Sequence, residues 1–142
     1  MQMSSETPRS KILVRSEQSG GRLGMAENYS PAHSPGPPFH LHDFDEAFYM
    51  LEGELTFRVG DELLTAGPGE LVFAPGGTPH TVANRSDAAA RYMLIVTPGG
   101  FEREFARREA RREGVDPPEW AMQPIPEVKV IGPRIGEEET AG

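Results

Sequence analysis

Apolar residues in this chain gather in short, dense runs separated by polar or turn-forming residues. Ile12-Leu13-Val14 is the first, and residues 11–15 read as a strand. Residues 22–29 read as a second, introduced by Gly20-Gly21. Residues 39–42 make a short third, and 46–51 are apolar and aromatic. Over 54–59, Leu55, Phe57 and Val59 share one face while Thr56 and Arg58 share the other, the period of a half-buried strand. Gly60-Asp61 then turns the chain into Glu62-Leu63-Leu64 as a hairpin. Residues 71–74, 80–84 and 91–97 follow as strands bounded by glycine and proline turns. Both faces of 91–97 are apolar, so its outer side needs cover. The period changes once: Phe101 and Phe105 lie at i, i+4 with Ala106 and Ala110 beside them, which predicts a helix over 101–113. Acidic residues at its start, Arg111 and Arg112 at its end, and Gly114 beyond suit the helix dipole and a C-terminal stop.

Composition sharpens this picture. Sixteen glycines and fourteen prolines among 142 residues leave little room for long helices. With 37% hydrophobic residues the chain is not a disordered polar tract. One all-β domain, a sandwich or barrel of short strands, is the expected class. Residues 1–10 read as a disordered arm, 11–98 as the barrel and 99–114 as the helical segment. Residues 115–142 read as a proline-rich irregular tail with Glu137-Glu138-Glu139 in solvent.

Cysteine is absent, which excludes disulfides, thiolate metal sites and cysteine nucleophiles. The formal net charge of −8 repels phosphate, so nucleic acid is not an expected partner. The helix carries five arginines, but Glu102, Glu104, Glu109 and Glu113 interleave them as a salt-bridged, solvated face. No apolar run reaches a secretory signal or the roughly 18 residues of a membrane span. A cytoplasmic protein with no membrane partner is expected, and the lack of cysteine fits a reducing compartment.

The chemistry centres on four histidines: His33, His40, His42 and His80. Residues i and i+2 of a strand share a face, so His40 and His42 project together, and Glu46 can return to that face across Asp43-Phe44-Asp45. Two imidazoles and a carboxylate suit a divalent first-row metal. An isolated His-x-His is more often surface or satisfied core, so this pattern alone leaves both readings open. His33, in a loop with four prolines, is expected at the surface. Asp43 and Asp45 read as solvated turn residues and Asn84 as a hydrogen-bonding strand end.

The surroundings of these residues resemble the two sequence motifs of the cupin superfamily. The first, G-x5-H-x-H-x3–4-E-x6-G, is matched by His40, His42, Glu46 and Gly53, with Ser34 at the leading glycine. The second, G-x5-P-x-G-x2-H-x3-N, is matched throughout by Gly69, Pro75, Gly77, His80 and Asn84. The resemblance spans residues 12–98. It implies an antiparallel jelly-roll barrel with one C-terminal helix. It also implies one divalent transition metal (Mn, Fe, Co, Ni, Cu or Zn) on His40, His42, Glu46 and His80.

Four protein ligands leave open positions on an octahedral ion, and a divalent ion with one carboxylate favours anionic oxygen donors. The expected partner is a small enolisable or aromatic molecule. Phe48 and Met50 share parity with Glu46 and are expected to line its pocket. Met93 and Ile95 are expected opposite them, leaving Tyr92, Leu94 and Val96 outside. No lysine or arginine is clearly placed to clamp a sugar phosphate, Arg91 being the one exception. Residues 97–102 and the charged helix look like those of small bacterial cupins similar to quercetin dioxygenases, which implies a metal-dependent dioxygenase. A redox-neutral isomerase, cyclase or lyase and a non-catalytic binding protein are the alternatives. Phe101 and Phe105 are expected to pack the helix on the outer wall, with a lid over the barrel mouth as the alternative. The resemblance further implies a homodimer, with strand 11–15 pairing across it to cover a sheet edge.

Overall fold

The computed structural model describes residues 9–137. The arm expected over 1–10 falls outside these except for Arg9 and Ser10, as do Glu138 and Glu139 of the acidic run. Ten strands form two antiparallel sheets: β1 (Ser10–Val14), β2 (Gly24–Ser30), β3 (His40–Leu41), β4 (Asp45–Glu52), β5 (Leu55–Val59), β6 (Glu62–Ala66), β7 (Leu71–Ala74), β8 (His80–Ala83), β9 (Ala90–Thr97) and β10 (Lys129–Val130). The first sheet has the order β1-β2-β9-β4-β7 and the second β10-β3-β8-β5-β6. This is the jelly-roll that the strand pattern and the two motifs anticipate.

Apolar residues of both sheets meet in the centre, where Met50, Leu55, Phe57 and Val96 are fully buried. Gly53 shows why the β4–β5 turn takes glycine: its φ is 72°, and a Cβ there would lie 2.6 Å from the Ala89 carbonyl oxygen. The turn before β8 is tied to the other half of the site. Gly77 N–H donates to the His42 carbonyl at 2.7 Å and Gly76 N–H to Asp45 Oδ1 at 2.7 Å. His80 is thereby delivered against His42. Asn84 is buried and holds the far end of β8, donating to the Ser30 and Ala88 carbonyls and accepting from Ser86.

Three expectations are corrected. On β9 the inward residues are Tyr92, Leu94 and Val96, which face Met50, Phe48 and Glu46 across the β4–β9 ladder. Met93 and Ile95 lie on the outer face beside Tyr49 and Ala47. Met25, Tyr49, Ala47, Leu71 and Phe73 share that face in the ladders on either side, and Leu71 and Phe73 stay half exposed on it.

The second correction concerns the tail, which is not irregular throughout. Residues Glu119–Met122 form a 3-10 turn, and β10 adds a strand beside β3 through the pairs Lys129–Leu41 and Val130–His40.

The third concerns helix α1 (Glu102–Glu113). Two of its glutamates hold backbone instead of facing solvent. Glu102 is buried and accepts from Gly100 N–H at 2.7 Å and Ser16 N–H at 2.7 Å. Glu109 accepts from the N–H groups of Arg9 and Ser10, fastening β1 to the helix. β1 itself pairs with β2 of the same chain and stands at the sheet's edge. Among the described residues no helix is long and apolar enough to cross a membrane.

Candidate metal centre

His40 and His80 face each other as partners in the β3–β8 ladder of the second sheet. Glu46 stands on the inner face of β4 in the first sheet, and His42 lies in the link between β3 and β4. The four side chains converge between the sheets, and one ligand atom from each lies within 4.8 Å of the others. His42, Glu46 and His80 are buried and His40 is partly so. His33 is apart from this group and pairs with the exposed Asp87 at 2.7 Å.

Each imidazole is oriented by a nearby backbone carbonyl. Nδ1–H donates from His40 to Pro38 (2.7 Å), from His42 to Phe44 (2.9 Å) and from His80 to Thr78 (2.9 Å). That fixes the tautomer and turns all three Nε2 atoms toward the centre. There Glu46 Oε1 lies 2.6 Å from His42 Nε2 and 2.9 Å from His80 Nε2. With Nδ1 protonated, a neutral imidazole would present an Nε2 lone pair to the carboxylate, and only a ring that takes up a second proton can donate to it. Such a cluster repels itself unless protons or a cation sit inside it. Three imidazole nitrogens and one carboxylate oxygen are a donor set that fits a divalent first-row ion.

The side chains' acidities reflect the same crowding. Burial pushes the Glu46 carboxyl up, but hydrogen bonds from His42 and His80 more than reverse this and hold it at about 2. Burial pushes His40 down. Burial also lowers His80, but its hydrogen bond to Glu46 and that group's charge leave it raised.

The cluster opens into a cavity of about 580 Å³, a size suited to a small organic molecule. Phe48, Val82, Tyr92 and Leu94 form its inner walls. Phe48 lines this cavity, whereas Met50 is sealed in the core and Met93 and Ile95 are outside it. Burial pushes the Tyr92 phenol up to about 12. The sequence put it on the outer face because both faces of β9 are apolar.

An aromatic stack behind the quartet and parts outside the two motifs complete the cavity. Phe44 stacks on His42 with ring centres 3.5 Å apart, and Phe101 lies 5.1 Å beyond it. Phe101, Phe105 and Arg108 of the helical segment form one lip, and Ile125, Val128 and Val130 of the tail form the other. Phe101 and Phe105 thus line the mouth instead of packing only on the outer wall. The hydrophobic spacing of the helix was legible, but its destination was set by tertiary packing.

Comparison with known proteins agrees with this architecture. Residues 28–96 match the cupin domain family. The chain is 23% identical over 127 residues to the tetracenomycin polyketide synthase protein TcmJ of Streptomyces glaucescens, covering 89% of this chain and 77% of that protein. It is 36% identical over 66 residues to the dimethylsulfoniopropionate lyase DddQ of Ruegeria pomeroyi, covering 46% of this chain and 32% of that protein. Among solved structures, TT1209 of Thermus thermophilus superposes with a TM-score of 0.55 at 29% identity, over 68% of this chain and 90% of that one. With the jelly-roll, both motifs and the converging His/Glu quartet in place, the chain is a member of the cupin superfamily.

Proposed function

We propose that this protein is a metal-dependent enzyme acting on a small enolisable or aromatic substrate that binds through oxygen. The observation that carries this reading is the quartet of His40, His42, Glu46 and His80 at the end of an otherwise largely apolar cavity. A divalent ion held by these four residues supplies Lewis-acid stabilisation of a substrate enolate or phenolate. The residues do the rest. Carbonyl-anchored imidazoles keep the donor set rigid, so little rearrangement accompanies binding. Phe48 and Leu94 hold the apolar body of the substrate. Phe101 and Phe105 keep water from the quartet, which strengthens every electrostatic interaction there.

Dioxygenation is the first reading of the reaction. A redox-neutral lyase or cyclase is the second, favoured by the matches to a lyase and to a polyketide synthase protein. Oxygen-electrode measurement of the metal-loaded protein with a flavonol or β-diketone decides between them. Oxygen uptake abolished in His42→Ala supports the first, and turnover that persists without oxygen supports the second. Full folding without metal, with the melting temperature unchanged by EDTA and no metal bound on addition, would contradict both.

We also infer a homodimer. The outer face of the first sheet leaves Leu71 and Phe73 half exposed beside Tyr49, Met93 and Ile95. A twisted sheet face of this kind fits a second copy of itself about a two-fold axis. Sedimentation should give a dimer that Phe73→Glu converts to monomer; a monomeric parent protein would overturn the assignment.

A further inference from the structure

The inner face of the first sheet carries a polar row that the metal quartet does not use. Ser10, Asn28, Tyr92 and Met50 are successive partners across β1, β2, β9 and β4. Asn28 is 3% exposed. Ser10 Oγ–H donates to Asn28 Oδ1 at 2.7 Å, an ordinary length for a hydroxyl donor. That contact fixes the amide, so Asn28 Nδ2–H points at Tyr92 Oη, 3.5 Å away.

The phenol oxygen therefore accepts from Asn28, and its own O–H must look elsewhere. Among the described residues it has no acceptor. The ring lines the cavity, in edge-tilted contact with Phe48 at 5.9 Å. Tyr92 is partly buried, and a donor left without a partner there is costly, whereas phenylalanine would pack the same space without it. The donor is therefore set for something that enters the cavity.

Its position defines that ligand. Tyr92 is four residues along β9 from Val96, the cross-strand partner of Glu46. At about 3.4 Å per residue the two rows are roughly 13 Å apart, with Phe48 and Leu94 between them.

We propose that the Tyr92 O–H binds a second oxygen of the substrate, at the end remote from the quartet. The selected ligand has an enolisable or phenolic oxygen at one end, a ring or apolar body in the middle, and an acceptor oxygen at the other. This rests on the quartet being the metal site. Asn28 is a positioning residue that acts through Tyr92.

The test uses zinc-loaded full-length protein and two chelating probes, 3-hydroxyflavone and 3,4′-dihydroxyflavone, titrated by the absorbance of the chelated form. The second probe differs only by a distal oxygen. The parent protein should prefer it by at least about fivefold. Tyr92→Phe should bring the two affinities within about twofold while zinc content stays at one per chain. Asn28→Asp should do the same with Tyr92 still present, because a carboxylate accepts the phenol proton and withdraws it from the cavity. Equal affinities in the parent, or a preference that survives Tyr92→Phe, would overturn the proposal. Failure of the parent to bind zinc would overturn the metal reading beneath it, an outcome distinguished by the zinc content alone.

Discussion

Nε2 of His42 lies 2.6 Å from Oε1 of Glu46, with both side chains almost wholly out of solvent. The same carboxylate oxygen is 2.9 Å from His80 Nε2. In metal-free protein this contact gives folding a defined pH dependence. The Glu46 carboxyl is depressed to about 2, so its contribution is present above its ordinary value of 4.5 and fades as pH falls toward 2. His80 is raised, so its contribution is present below its ordinary 6.5 and fades as pH rises through the raised value. These are one interaction seen from its two partners, and it is complete only between those ordinary values. In EDTA, the melting-temperature gap between parent and Glu46→Gln should be widest from pH 4.5 to 6.5 and shrink on both sides. A gap constant with pH would contradict the pairing.

Glu102 is expected to matter to stability as much as any core residue. Its two oxygens take the N–H groups of Gly100 and Ser16 inside a site sealed from water. Glu102→Gln replaces one acceptor with a donor that faces an N–H. The cost should be about 2–3 kcal/mol, a fall of roughly 5–12 °C in melting temperature, read by calorimetry. A change below about 2 °C would show that the contact is dispensable.

Phe101 should govern ligand retention without touching metal content. It stacks beyond Phe44 and His42 and lines the cavity. Phe101→Ala removes most of an aromatic side chain from its lip and admits water. Affinity of the zinc-loaded protein for 3-hydroxyflavone should fall by about 5- to 30-fold, with metal content unchanged. Loss of metal together with ligand would mean that the aromatic stack supports the quartet itself.

The parts of this fold that were legible in the sequence are those where a local rule has one outcome. Strand parity put His40, His42 and Glu46 on one face, while His80 joined them only through the resemblance to the two cupin motifs, whose turn residues here are Gly53, Gly69, Pro75 and Gly77. Tyr92 was not, because β9 is apolar on both faces and parity alone cannot say which face is inner. Glu102 and Glu109 were read as solvated, since a glutamate on a charged helix gives no local sign that a distant backbone N–H will seek it. β10 was hidden by flanking prolines; its two residues are a strand only because β3 offers them an unpaired edge. The helix was found, but not its lip over the cavity, because nothing within 101–113 encodes where Phe101 will dock.

We assign one metal ion to the quartet of His40, His42, Glu46 and His80. Elemental analysis of the purified parent protein, beside Glu46→Gln and His80→Ala purified identically, tests it most directly. The expected result is close to one divalent transition-metal ion per chain in the parent and less than about a tenth of that in either variant. A parent that neither carries nor takes up such an ion, or variants that hold it as well as the parent does, would rule out the quartet as a metal site.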